Sequence, residues 1–226
     1  MTATVFPPAP TVLAAVDGRE ARFPVRRIFC VGRNYAAHRA EMGGDDREPP
    51  FFFTKPADAL VPSGSAIPYA RATSDLHHEV ELVIAIGTGG ADIPVADALT
   101  HVFGYAVGVD LTRRDLQAAA KGKGQPWDSA KGFDQSAPLG AIVERRGSDL
   151  QGAIRLDVNG KPRQASQISN MIWSVPEIIA ECSRLWCLAP GDLIFTGTPE
   201  GVGALVPGDR VRAAIDGLPE LTFTLT

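Results

Sequence analysis

The alternation of apolar and polar positions predicts many short strands and few helices. Strand-like runs include IFCV at 28–31, ELVIAI at 81–86 and FGYAVGV at 103–109, which are short and rich in β-branched or small residues. AIRLDV, DLIF, DRVRAAI and LTFTLT continue the pattern in the last third of the chain. Long helical patterns do not alternate regularly with these runs, which argues against a doubly wound sheet. The pattern therefore predicts a strand-dominated α+β fold.

Four segments carry helical signals, and one of them is RRDLQAAAKGKG at 113–124, which has helical composition until its glycines. The clearest is SVPEIIAECSRLW at 174–186, where Ser174 stands at the N-cap position and a proline lies in the first turn. The apolar residues of this segment recur at helical spacing at Ile178, Ile179, Cys182 and Leu185. NYAAHRAEMG at 34–43 predicts a short helix, and DIPVADALTHV at 92–102 is compatible with another.

Composition narrows the class of protein. The 226 residues are 45% hydrophobic, enough for one sizeable core, and we predict a short N-terminal arm over 1–25 and a single catalytic domain over 26–226. The formal net charge of −4 argues against nucleic acid or an anionic membrane as the main partner. No apolar run approaches the length of a membrane span, and the N-terminus lacks the pattern of a signal peptide. We therefore expect a cytoplasmic protein with three reduced cysteines.

Two glutamates at the head of an apolar strand require an explanation. In LHHEVELVIAIG at 76–87, strand alternation places His77, Glu79 and Glu81 on one face. Two carboxylates on one half-buried face repel each other and lose hydration, unless a cation, a proton or open water compensates. A strand end open to solvent is the simpler interpretation. A metal site is the alternative, and it needs a third oxygen ligand.

Asp110 is the candidate for that third ligand because it ends the small-residue strand FGYAVGVD. Three carboxylates without sulfur favour Mg²⁺, Mn²⁺ or Ca²⁺ over Zn²⁺. They leave about one surplus negative charge beside a divalent ion, so a nearby Lys or Arg is expected, and Lys131 in WDSAKGFD is a candidate. A strand-end cap is the alternative interpretation of Asp110.

Two further patterns carry possible chemistry. His38 and Glu41 are spaced i,i+3 in a predicted helix, where a carboxylate can orient an imidazole that acts as a base towards water; a surface ion pair is the alternative. FTGTPEGVG at 195–203 predicts a tight turn whose amides and hydroxyls can bind an anion, or a purely structural turn. The lysine- and glycine-rich segment at 121–134 lacks the order of a phosphate-binding loop.

Several long motifs in one order resemble a known family. They are VGRNYAAHRAEM, FFFTKPADA, LHHEVEL, GYAVGVDLTRRDLQ, GQPWDSAKGFD and TGTPEGVG. Together they resemble the fumarylacetoacetate hydrolase family, and within it the small acylpyruvase and fumarylpyruvate hydrolase members. The resemblance covers about residues 26–226.

The resemblance implies a fold and a metal site. The fold is a mixed β-sandwich roll of the fumarylacetoacetate hydrolase C-terminal-domain type, in a homodimer. One Mg²⁺ or Mn²⁺ per subunit would be held by Glu79, Glu81 and Asp110. Lys131 matches the catalytic lysine of the family.

The same resemblance implies roles for the remaining candidates. His38 and Glu41 match a general-base dyad in a segment that closes over substrate. The residues that match substrate-binding positions are Arg114, Gln117 and Thr198, and Arg33 is a candidate, with Arg39 and Lys55, for the cation that meets a distal carboxylate.

The implied reaction is metal-dependent hydrolysis of the carbon–carbon bond of a 2,4-dioxo acid (an acylpyruvate). Fumarylpyruvate would give fumarate and pyruvate, as in gentisate breakdown, with His38 deprotonating the attacking water. Decarboxylation of oxaloacetate and keto–enol tautomerisation are alternatives, because both use a metal-bound 2-oxo acid. A non-enzymatic metal-binding module is a third, but it gives no reason for the His38–Glu41 pair. The presence of that pair favours hydrolysis.

Overall fold

The computed structural model describes residues 3–35, 48–147 and 150–226. Strands account for most of its regular structure: β1 Leu13–Ala14, β2 Phe23–Pro24, β3 Arg27–Gly32, β4 Phe51–Lys55, β5 Leu60–Pro62, β6 Ser65–Ile67, β7 Leu76–His78, β8 Val80–Ile86, β9 Val102–Val109, β10 Thr112–Arg113, β11 Ala137–Leu139, β12 Val143–Glu144, β13 Ala153–Val158, β14 Lys161–Gln167, β15 Asp192–Phe195, β16 Gly203–Leu205, β17 Arg210–Ile215 and β18 Leu221–Leu225. The α-helices of the described residues are α1 Arg114–Gly122, α2 Asp128–Lys131 and α3 Val175–Leu185. Short 3₁₀ helices lie at Ala57–Ala59, Ala98–His101 and Ile168–Asn170.

Two sheets form the body of the protein. The larger has the order β4-β3-β15-β8-β9-β11-β5, with β12 also paired to β9. The second has the order β14-β13-β17-β18-β6. Most pairs are antiparallel, but β3 with β15, β5 with β11, and β6 with β18 are parallel, so both sheets are mixed. The predicted strand-dominated α+β class is confirmed.

Strand β8 lies at the centre because both of its faces are buried. Leu82 and Ile84 belong to the main core, which also contains residues of β13, β17 and β18 from the second sheet. Val83 and Ala85 point to the opposite face and pack in a second core with residues of β1 and β2. A strand covered on both sides has a nearly continuous apolar sequence, which explains the run LVIAI.

The N-terminal segment covers the outer face of the larger sheet. Ala14, Val16, Phe23 and Val25 are buried in the second core, and Val16 forms a β-bridge with Ile142. The division into an arm over 1–25 and a domain over 26–226 stays a prediction. In the described part of the chain, no helix combines the length and apolar character needed to cross a membrane. Cysteines 30, 182 and 187 are free thiols.

The helices agree only in part with the sequence pattern. Ser174 is the N-cap of α3, as predicted, and the Ser174 and Glu177 side chains form a reciprocal capping box there. Leu185 was expected on the apolar stripe but is 61% exposed, because it lies in the last turn, where the helix leaves the core. The segment 92–102 forms only the 3₁₀ helix Ala98–His101, so the full helix that its pattern allowed does not form. Pro94 lies near the start of the segment, and turn hydrogen bonds such as that from the Asp97 amide to the Pro94 carbonyl replace helical ones.

Because β8 is packed on both faces, we expect Ile84→Ala to destabilise the protein by about 2–5 kcal/mol. The Ile84 side chain is fully buried, and the cavity left behind cannot be filled by neighbouring strands without breaking their pairing. Urea unfolding followed by circular dichroism measures the change. Val95→Ala, at a position that is 50% exposed, is the control and should cost less than about 0.5 kcal/mol. Equal effects of the two substitutions would contradict the central position of β8.

Candidate active site

The sheet brings three carboxylates together at one end of β8 and β9. Glu79 precedes β8, Glu81 is its second residue, and Asp110 follows β9. Val80 pairs with Val109, and the Asp110 amide donates a hydrogen bond to the Glu79 carbonyl at 2.8 Å. One ligand oxygen from each carboxylate lies within 4.8 Å of the others. All three residues are buried, so the interpretation as a strand end open to solvent is wrong.

Lys131 lies between two of these carboxylates. Its Nζ donates to Oε2 of Glu79 at 2.9 Å, to Oδ2 of Asp110 at 2.6 Å and to Oγ1 of Thr112 at 2.6 Å. Burial by itself would lower the pKa of the Lys131 ammonium, but Asp110 and Glu79 raise it to about 12. The ammonium therefore stays charged at neutral pH and offsets part of the buried negative charge.

Glu79 has a second cationic partner on the first turn of α1. Nη2 of Arg114 lies 2.5 Å from Oε1 of Glu79, and Nη1 of the same guanidinium donates to the Gln117 side-chain oxygen. Burial acts to raise the pKa of the Glu79 carboxyl, but Lys131 and Arg114 together hold it well below its usual range. Glu79 is therefore ionised. Because the guanidinium bridges Glu79 and Gln117, it also ties α1 to the head of β8.

Lys55 supplies a third buried cation from β4. Its Nζ lies 2.8 Å from Oδ1 of Asp110, but it donates its hydrogen bonds to the backbone carbonyls of Leu111 and Lys131. Among the described residues, Oδ1 of Asp110 therefore accepts no hydrogen bond although it is buried. The Lys55 side chain is fully buried, which makes it unavailable to a distal carboxylate of the substrate. Oδ1 of Asp110 is thus in ion-pair contact with Lys55 but accepts no hydrogen bond, and an oxygen of this kind can also bind a metal cation.

Glu81 is the carboxylate with the least compensation. In the described part of the chain it forms no ion pair, and its Oε2 accepts one hydrogen bond, from the Gly197 amide at 2.7 Å. Burial first, and then the charges of Asp110 and Glu79, raise the pKa of the Glu81 carboxyl well above its ordinary value. A divalent cation bound among the three carboxylates would remove this imbalance. The donor set, its spacing and its charge therefore fit a hard metal ion.

In the turn 195–203, the Gly197 amide donates a hydrogen bond to the Glu81 carboxyl at 2.7 Å. The predicted binding of an external anion by this turn stays a prediction. Gly197 has φ of 94°, and a Cβ there would lie 2.7 Å from the Asn34 Cβ. Asn34 is fully buried, and its Nδ2 donates to the carbonyls of Thr196 at 2.8 Å and Trp173 at 3.0 Å. The close approach of Asn34 therefore fixes the turn under Glu81 and explains the glycine.

Gln164 is a site residue that the sequence did not reveal. This buried side chain of β14 donates from Nε2 to Oγ1 of Thr198 at 2.8 Å, and its Oε1 accepts from the Val80 amide at 3.1 Å. Nδ1 of the neighbouring His78 lies 3.0 Å from the same Oε1. Gln164 thus connects the turn at Thr198 to the head of β8. Its local sequence, PRQAS, carries no signal, because the contact depends on how the two sheets pack.

A small cavity of about 30 Å³, which is about the volume of one water molecule, lies over the carboxylates. Its lining includes Arg33, Arg114, Gln117 and Thr198, all four of the predicted substrate-binding residues. A second cavity, of about 580 Å³, has a mostly aromatic wall and shares lining residues with the first. The shared residues are Arg33, Phe53 and Trp127. The two cavities therefore lie side by side, with Arg33 in the wall of both.

His38, Glu41 and Arg39 lie outside the described residues. The predicted general-base dyad and its place over the metal site stay predictions.

Comparison with known proteins gives matches along most of the chain. The family model described as "Fumarylacetoacetate (FAA) hydrolase C-terminal" matches residues 27–226. The fumarylpyruvate hydrolase of a Ralstonia species is 46% identical over 179 residues, covering 79% of this chain and 93% of that protein. The mitochondrial oxaloacetate tautomerase FAHD1 of Rattus norvegicus is 44% identical, covering 88% of this chain and 90% of that protein.

A solved structure is also closely similar. It is the crystal structure of fumarylpyruvate hydrolase from Pseudomonas aeruginosa in complex with Mn²⁺ and pyruvate. The two chains are 51% identical, the match covers 99% of each, and the TM-score is 0.96. The predicted β-sandwich roll of this family is confirmed.

We expect Glu81→Gln to weaken Mn²⁺ binding on the order of 100-fold, because the amide keeps the shape of the side chain but removes a charged ligand. Isothermal titration calorimetry without substrate measures the affinity. Glu20→Gln, at an exposed carboxylate, is the matched control and should leave the affinity unchanged. Unaltered Mn²⁺ affinity in Glu81→Gln would exclude Glu81 from the metal site.

Mn²⁺ affinity should also rise with pH. The raised pKa means that Glu81 keeps its proton to higher pH in the metal-free protein, and this proton must leave before the carboxylate can bind a cation. Titration in buffers of different ionisation enthalpy should show proton release near neutral pH, and Glu81→Gln should abolish it. An affinity that is flat from about pH 5 to about pH 8 would contradict the shift, because an ordinary carboxyl is nearly fully ionised over that range.

Proposed function

Because the chain belongs to the fumarylacetoacetate hydrolase family, we propose that it is a metal-dependent hydrolase of 2,4-dioxo acids, with fumarylpyruvate as its substrate. The predicted family and the predicted enzyme class, a hydrolase that acts on carbon–carbon bonds, are both confirmed. The observation that carries the substrate proposal is the buried carboxylate cluster, which is surrounded by cations and lies under a cavity lined by Arg33.

The metal proposed is Mg²⁺ or Mn²⁺, one ion per subunit, on Glu79, Glu81 and Asp110. When bound, it would act as a Lewis acid on the oxygens of a 2-oxo acid. Charge supports an anionic substrate at this site. Three carboxylates face three cations, Lys55, Lys131 and Arg114. A divalent ion then leaves two positive charges, which a substrate carboxylate and a developing enolate would balance.

Protein residues would position the substrate and exclude water. Gln117 and Thr198 line the small cavity, and their polar side chains are held by Arg114 and Gln164. Lys131 stays protonated and stabilises the negative charge of the cluster. Donors fixed in this way need little reorganisation when charge develops on the substrate.

The water-activation step is assigned to residues outside the described part of the chain. His38, oriented by Glu41, would take a proton from a water that adds to the 4-carbonyl carbon. The bond between carbons 3 and 4 then breaks. Its electron pair leaves as the enolate of pyruvate, which is protonated to pyruvate, while the acyl half departs as fumarate.

Oxaloacetate tautomerisation is the second candidate. It is favoured by the similarity to the FAHD1 tautomerase, which is nearly as great as that to the Ralstonia hydrolase. A tautomerase needs a base and a bound 2-oxo acid, but no attacking water.

The predicted role in gentisate catabolism, the cytoplasmic location and the homodimer are part of the hydrolase proposal. Sedimentation equilibrium tests the dimer.

We expect EDTA-sensitive hydrolysis of fumarylpyruvate by the protein loaded with Mg²⁺ or Mn²⁺. The measurement is the loss of substrate absorbance, with fumarate and pyruvate quantified at the end point. Oxaloacetate is assayed in parallel for keto–enol exchange and for decarboxylation, after subtraction of the spontaneous rates. Rapid exchange of oxaloacetate together with inert fumarylpyruvate would reject the hydrolase in favour of the tautomerase.

We expect His38→Gln to lower kcat for fumarylpyruvate hydrolysis by about 100-fold or more, because general-base catalysis contributes that much. Binding of Mn²⁺ and of oxalate, a mimic of the pyruvate enolate, should be unchanged. His101→Gln is the control, since His101 hydrogen-bonds the Thr88 carbonyl away from the site. Hydrolysis that persists in His38→Gln would show that another group activates the water.

A further inference from the structure

The side-chain amide of Gln164 can face its partners in only one way. Its Oε1 lies 3.1 Å from the Val80 amide, which can only donate, and its Nε2 lies 2.9 Å from the Pro199 carbonyl, which can only accept. These two backbone groups decide which end of the amide is oxygen and which is nitrogen. Nδ1 of His78 lies 3.0 Å from the same Oε1, so it is the protonated nitrogen of the imidazole and donates. The Gln164 side chain is buried, and its orientation is therefore fixed.

This orientation sets the direction of the hydrogen bond to Thr198. Nε2 of Gln164 donates at 2.8 Å, so Oγ1 of Thr198 accepts and the hydroxyl proton is left for another partner. In the described part of the chain, the Thr198 hydroxyl donates to no protein group. Thr198 is buried and lines the small cavity together with Glu79 and Glu81. Its hydroxyl is therefore a donor for a ligand that occupies this cavity.

Gln117 also presents a donor to the small cavity. Its Oε1 accepts from Nη1 of Arg114, and a guanidinium can only donate, so the opposite end of the Gln117 amide is the nitrogen. Among the described residues, this Nε2 donates to none. The two neutral polar side chains of the cavity wall, Gln117 and Thr198, thus offer hydrogens to a ligand. A carboxylate matches them, because it can only accept hydrogen bonds.

We propose that Gln164, held by Val80 and His78, is a positioning residue that fixes the Thr198 hydroxyl as a hydrogen-bond donor to the carboxylate of the 2-oxo acid. The inference rests on the proposed function, and it gives a residue of β14, in the second sheet, a part in substrate binding. Without the Gln164 amide, nothing holds the Thr198 proton towards the cavity. Loss of Gln164 should therefore weaken ligand binding although Gln164 itself does not line the cavity.

The test is a double-mutant cycle, measured by calorimetry of oxalate binding to the Mn²⁺-loaded protein. Thr198→Val should weaken oxalate binding by about 10- to 100-fold, the usual effect of losing one hydrogen bond to a charged group. Thr198→Ser keeps the hydroxyl and should hold the affinity within about threefold of the unaltered protein. Gln164→Met should weaken binding by about 5- to 10-fold, because the hydroxyl is no longer oriented. In the Thr198→Val background, Gln164→Met should have less than about a twofold effect.

Two controls separate orientation of Thr198 from damage to the fold. Gln167→Met makes the same change at an exposed position of β14 and should leave oxalate affinity unchanged. Mn²⁺ affinity should be unchanged in Gln164→Met, because Gln164 contacts the Val80 amide and not the carboxylates on either side of it.

Equal losses of oxalate affinity from Gln164→Met in both backgrounds, or no loss while Thr198 is intact, would overturn the proposal. Thermal unfolding verifies that the variants fold. If Gln164→Met does not fold, Gln164→Asn decides the question by the same cycle, because it keeps an amide but withdraws it from Thr198 by one methylene group.

Steady-state kinetics separates this inference from the proposed function. With fumarylpyruvate, Gln164→Met should raise KM by about 5- to 10-fold and change kcat by less than about threefold, because the carboxylate keeps its charge from substrate to transition state. A protein that shows the expected oxalate cycle but cleaves no acylpyruvate would reject the hydrolase and support the role of Gln164. A protein that cleaves fumarylpyruvate but shows no coupling between Gln164 and Thr198 would overturn this inference and support the hydrolase.

Discussion

The structure depends on placing three carboxylates side by side in a dry interior. Isolated charges of one sign cannot be buried together, because each loses hydration and repels the others. Pairing of Val80 with Val109 sets Glu79 and Asp110 at adjacent strand ends, and a register shift of one residue would turn these side chains to the opposite face. The two-sided burial of β8 is what prevents such a shift. The packing of β8 in the core therefore also sets the geometry of the carboxylate cluster.

The three carboxylates differ in how far neighbouring cations offset their negative charge. Buried lysines and an arginine neutralise Glu79 and Asp110, whereas Glu81 receives one backbone amide. Glu81 is therefore the carboxylate that a hard metal ion would compensate most. The same arrangement leaves the loaded site positive, which suits a 2-oxo acid and the enolate derived from it.

The chain is similar both to relatives named for hydrolysis and to relatives named for tautomerisation. Hydrolysis of an acylpyruvate needs an attacking water, whereas tautomerisation of oxaloacetate needs only a base. In this protein the larger cavity is lined by Arg33 and aromatic side chains rather than by the carboxylate cluster.

The apolar runs and their alternation were enough, by themselves, to predict a strand-dominated fold, because apolar positions repeat at strand spacing. The same pattern gave the cluster of Glu79, Glu81 and Asp110 only as an alternative to solvent-exposed strand ends, and the resemblance to a family selected it. The role of Lys131 and the His38–Glu41 dyad came from resemblance to a family. Tertiary structure alone decided that Lys55 neutralises Asp110 and that Gln164 supports Thr198, since these contacts join residues far apart in sequence. It also decided the exposure of Leu185 and the short helix at Ala98–His101, where packing and turn bonds outweigh local periodicity.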